Sequence, residues 1–101
     1  MEKCETLEGF VVDQACLRKY PQDELLQRAA EHTRECSLMG HCVESGYGLV
    51  DVEGRTLLLE PAATPVVVEA IRRSDRPRGL RLRVEREMRE GEMRTTRVDE
   101  I

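Results

Sequence analysis

The chain has 101 residues, 40% hydrophobic and 36% charged, with four cysteines and a net charge of −4. One domain of that length buries a modest core. With Phe10, Tyr20 and Tyr47 as the only aromatics, that core rests on Val, Leu, Ile and Met. The acidic balance excludes a general nucleic-acid binder, which needs a basic groove with aromatic platforms, and no run approaches the ~20 apolar residues of a membrane span.

Gly9 to Asp13 reads as a first strand from its β-branched and aromatic content, with Glu5 and Glu8 flanking it. Residues 21–37 read as one helix. Pro21 suits the first turn, Asp23 and Glu24 suit the positive end of the dipole, and Leu25, Leu26, Ala29, Ala30 and Thr33 recur at helical spacing up to Cys36. Gly40 lies beyond as a stop signal. Ser45-Gly46 marks a turn. Tyr47–Val52 and Arg55–Glu60 then form a hairpin about Glu53-Gly54. Pro61 breaks the third strand, and Thr64-Pro65 opens a short helix that ends near Ser74. After a loop at Asp75–Gly79, Leu80, Leu82 and Val84 alternate with Arg81, Arg83 and Glu85, the mark of a half-buried strand running to Met88. Glu90-Gly91 turns the chain into a last strand, Met93–Ile101.

The expected fold is mainly β with a helical insertion. It is a five-stranded OB-like barrel over residues 1–101, with a Cys/His-rich insertion at about 14–45 and a helix between the third and fourth strands. A small α+β sandwich is the alternative. Charge divides unevenly: residues 1–53 carry 5 basic and 11 acidic side chains, residues 54–101 carry 11 and 9. The Arg/Glu alternation of the second half reads as a solvated sheet face with cross-strand ion pairs.

The unusual chemistry lies between Cys16 and Cys42. His32 and Cys36, spaced i, i+4, would share one helix face about 5–6 Å apart at Cβ. Cys42 can fold back past Gly40, and Cys16 can approach from the end of the first strand. Cys16, His32, Cys36 and Cys42 thus make a candidate Cys3His site for zinc, with copper as the alternative because thiolates also suit Cu(I). His41 is a replacement ligand or an exposed residue, Met39 matters only for a soft metal, and Cys4 stands apart. Asp13 is read first as an ordinary strand-end residue and second as a hydrogen-bond partner for a histidine. The spacing contains no CxxC, so other readings stay open: two disulfides in a stapled protein-interaction domain without cofactor, buried free thiols, or a thiol-based redox enzyme or sensor. No GxSxG, phosphate-binding glycine loop or HExxH is present.

Gly9-Phe-Val-Val-Asp13, Cys16, His32, Cys36, Cys42 and Ser45-Gly46 together resemble a group of small bacterial proteins of unknown function. Their pattern runs Gly-x-Val-x-Asp-x-x-Cys, then His-x-x-x-Cys and a further Cys, then a Gly-containing strand. The resemblance implies an OB-like barrel with a Cys/His centre after its first strand, and implies no reaction. The partners expected are a metal ion and a protein partner, with no nucleic acid. No basic stretch leads into an apolar run at the N-terminus. The protein is therefore expected to be cytoplasmic if Met1 is the native start, and periplasmic or secreted if a leader was removed.

Overall fold

Alternation of apolar and charged side chains builds the sheet that positions everything else. The computed structural model describes residues 3–101, so Met1, on which the compartment expectation turns, lies outside the described residues. The strands are β1 (Lys3–Asp13), β2 (Tyr47–Val50), β3 (Thr56–Leu58), β4 (Arg81–Arg89) and β5 (Glu92–Glu100). They form one antiparallel sheet in the order β3-β2-β1-β4-β5. β1 is more than twice as long as the expected Gly9–Asp13. Glu5 and Glu8 lie inside the strand because they stand opposite Arg86 and Arg83 of β4 and pair with them, at 2.6 Å for Arg83 Nε to Glu8 Oε2. The expected cross-strand ion pairs are therefore present, between β1 and β4.

A closed barrel is not formed. β3 and β5 occupy the two ends of the sheet, no ladder joins them among the described residues, and the architecture is mixed α/β with an open sheet. β3 spans only three residues before the chain turns away through a 3-10 turn at Pro61–Ala63. The ends still meet through a side chain. The Glu60 carboxylate accepts hydrogen bonds from the backbone N–H of Thr95 (2.7 Å) and from its hydroxyl (3.1 Å).

Two hydrophobic clusters sit on either side of β1, as strand alternation requires. Val11 packs with Tyr47, Leu49, Leu82 and the inner face of α5 (Thr64–Arg73), where Val67 and Ile71 are fully buried. Val12 packs with Val50, Leu25 and Ala29.

The insertion between β1 and β2 departs from the single helix expected at 21–37. It contains α1 (Gln14–Leu17), a 3-10 turn at Gln22–Glu24, α2 (Leu25–Glu31), α3 (Arg34–Ser37) and α4 (Gly40–Ser45). The break falls at His32 and Thr33, both extended (ψ 129° and 149°). Thr33 caps a new helix, its hydroxyl accepting from Cys36 N at 3.1 Å. The same two residues are pinned to the loop ahead of β4: Thr33 bridges Arg78, and Gly79 N donates to His32 O at 3.0 Å. Gly79 is required there. Its φ is +63°, and a Cβ would sit 2.5 Å from Ala30 O.

Candidate metal centre

Asp13 ends β1 and caps α1, its Oδ2 accepting from Cys16 N at 2.9 Å. One carboxylate thus turns the strand into a helix and sets the Cys16 thiol one turn beyond itself. The Thr33 cap does the same for Cys36 on α3. Cys42 lies on α4 and is 1% exposed. These elements bring one oxygen of Asp13 and the Sγ atoms of Cys16, Cys36 and Cys42 within 4.8 Å of one another, an arrangement that could hold a metal ion. Cys16 Sγ and Cys36 Sγ are 3.9 Å apart, and all four cysteines are unbridged.

Three of the four expected ligands, Cys16, Cys36 and Cys42, therefore come together. The fourth, His32, stands behind Asp13: Nε2 is 2.9 Å from Asp13 Oδ1, and Nδ1 is 3.0 Å from the Tyr20 hydroxyl. The break after α2 removes the expected i, i+4 face shared by His32 and Cys36, and leaves the imidazole almost wholly buried between Asp13 and Tyr20. Asp13, first read as an ordinary strand end, is both the partner of that histidine and a member of the cluster. The signal in the sequence was its spacing, Asp13-x-x-Cys16, which suits a cap and a neighbouring thiol together. Cys4 and His41 are exposed and outside the cluster, and Met39, 48% exposed, precedes α4.

Charge is arranged to favour a cation. Burial pushes the Asp13 carboxyl upward, but hydrogen bonds from His32 and Cys16 N, with the electrostatic attraction of His32, outweigh it and hold the pKa at about 2. The thiols move the other way. Burial first, then the negative charge of Asp13, pushes Cys16 up to about 12 and Cys42 up to about 11. Thiols so placed keep their protons beside a carboxylate unless a metal ion replaces them. Cys16 and Cys42 therefore do not resemble a pre-activated nucleophile, whose pKa is depressed. A shallow cleft of about 230 Å³, lined by Tyr20, Arg28, Glu31, His32, Thr33 and Cys36, opens beside the cluster.

No helix among the described residues is long and apolar enough to cross a membrane. Comparison of the chain with models of known protein families, with curated proteins and with solved structures finds no match.

Proposed function

We propose that the protein is a metal-binding domain in which Cys16, Cys36, Cys42 and Asp13 hold one zinc ion and His32 orients Asp13 from behind. The convergence of three thiols and one carboxylate within 4.8 Å carries this reading. The spacing suits the metal. Two thiolates on a tetrahedral zinc, each at about 2.3 Å, stand about 3.8 Å apart, and the Cys16 and Cys36 sulfurs are separated by 3.9 Å. A carboxylate in the set favours zinc over Cu(I), which prefers an all-soft shell. Four donors from the protein fill a tetrahedral ion and favour a structural role over an open catalytic position. The His32–Asp13 hydrogen bond reproduces, with the roles exchanged, the carboxylate–imidazole pairing found behind metal ligands. The OB-like assignment belongs to this proposal too. That fold is a five-stranded, partly open barrel, and a centre placed directly after the first strand agrees with the resemblance to the small bacterial group.

Metal analysis of protein purified without added metal tests the reading, with one zinc per chain expected. Cobalt(II) substitution should give thiolate-to-metal absorption. His32→Ala should keep the form of that spectrum while weakening affinity about 10- to 100-fold, whereas Cys42→Ser should change it. Absence of zinc and of cobalt binding, with all four thiols reduced, would overturn the assignment. A changed cobalt spectrum in His32→Ala would replace Asp13 by His32 as the fourth ligand.

A further inference from the structure

Two thiols of the centre already touch. Cys16 Sγ and Cys36 Sγ are 3.9 Å apart, whereas a disulfide needs about 2.05 Å. Both cysteines sit on helices of four residues, α1 and α3, each held at its N-terminus by one side-chain cap. Closing the remaining gap of roughly 2 Å requires rotation about the Cys side chains and a shift of two such short segments. The other cysteines are placed differently. Cys42 is buried on α4, and Cys4 is exposed on β1 opposite Glu87 of β4. The cleft at the cluster is lined by Cys36 and by no other cysteine.

We propose that Cys16 and Cys36 are a peroxide-oxidised pair, and that their disulfide expels the ion from the centre. A hydroperoxide enters through the cleft. The Cys36 sulfur takes one peroxide oxygen as the O–O bond breaks, giving a sulfenic acid and one molecule of water or alcohol. The Cys16 sulfur then attacks the Cys36 sulfur. The S–S bond forms, the S–O bond breaks, and the oxygen leaves with the Cys16 proton as water. Two thiols lose two electrons and two protons in all, and one peroxide is reduced. When both sulfurs start as metal-bound thiolates, the two protons come from solvent. Of the four proposed donors, Asp13 and Cys42 then remain, too few for a tetrahedral ion. The expulsion rests on the metal-centre reading; formation of the disulfide does not.

The pair is tested with hydrogen peroxide on metal-free and zinc-loaded protein carrying Cys4→Ser, which removes the exposed thiol and its cross-linking between chains. Expected are the loss of two of the three remaining thiols and a peptide linking Cys16 to Cys36 in a non-reducing digest, both reversed by dithiothreitol. One zinc should be released per disulfide, read with a chromogenic chelator. Cys42→Ser should retain the link, and Cys16→Ser should lose it and accumulate sulfinic acid at Cys36. The unsubstituted protein, mapped in parallel, must show the same Cys16–Cys36 peptide. A link from Cys36 to Cys42, or three surviving thiols under excess peroxide in the metal-free form, overturns the pair. A link that forms in protein unable to bind zinc removes only the metal reading, and zinc binding without a link removes only the pair.

Discussion

Asp13 serves three neighbours with one carboxylate: it caps α1, fixes the imidazole of His32, and faces the thiols. Its pKa of about 2, against an ordinary 3.8, makes a claim about stability. A depressed carboxyl stabilises the fold in its ionised form, so the contribution is complete above about pH 4 and disappears as pH falls toward 2. The shift corresponds to about 2 kcal/mol. In metal-free protein, the stability gap between wild type and Asp13→Asn should therefore narrow by about that amount between pH 5 and pH 2, measured by urea unfolding. A gap that stays constant over this range would mean that the carboxylate is not held ionised by its partners.

The helices of the insertion are too short to stand alone. α1 and α3 have four residues each and α2 has seven, where isolated helices need about 12–15. They persist because caps, the Tyr20–His32–Asp13 chain and the cluster hold their ends. Hydrogen exchange should show this. A chelator added to the metal-loaded protein should raise exchange in residues 14–45 while β1, β4 and β2 stay protected; a uniform rise would show that the centre and the sheet open together. The strands were legible because period-2 alternation is a local signal, and Leu80–Met88 corresponds closely to β4. The cysteine cluster was legible by residue type. The break at His32 was not, because Leu25, Leu26, Ala29, Ala30 and Thr33 carry a helical stripe straight through it. Thr33 has two competing uses, as a stripe residue and as a cap. The contacts that decide between them come from Arg78 and Gly79, some 45 residues further on. The same holds for the fourth member of the cluster: the helical spacing pointed to His32, and the tertiary break leaves Asp13 beside the thiols with His32 behind it.

At the level of the whole molecule, the sheet is held in its curve by charge as well as by apolar packing. Beyond Leu7 and Val84 the inner face of the sheet continues into Glu5 and Arg86, and Arg86, its side chain 14% exposed, reaches Leu58 O at 3.3 Å and Glu60 at 3.8 Å. Glu60 in turn occupies the outer edge of β5 at Thr95. A side chain so placed supplies an acceptor where a neighbouring strand would, and it blunts an edge that could recruit another chain. Glu60→Ala should cost about 1–3 kcal/mol, seen as a lower urea midpoint, with metal content unchanged. An unaltered midpoint would show that the Thr95 contact follows the curvature of the sheet without stabilising it.

The central position of β1 also sets an order of events during synthesis. β1 emerges first, but its partners in β4 lie far along the chain, with Glu8 and Glu5 separated from Arg83 and Arg86 by 75 and 81 residues. At about 5–20 residues per second, the ribosome needs roughly 4–15 s to deliver the whole of β4 after Asp13 has been made. All four members of the Asp13, Cys16, Cys36 and Cys42 cluster, by contrast, are present once Cys42 has been added. The nascent chain can therefore bring its thiol and carboxylate cluster together before its sheet, with the β4-facing edge of β1 still unpaired. Glu5, Thr6 and Glu8 place polar side chains on both faces of that unpaired stretch, and charge on a free strand edge disfavours pairing with another chain.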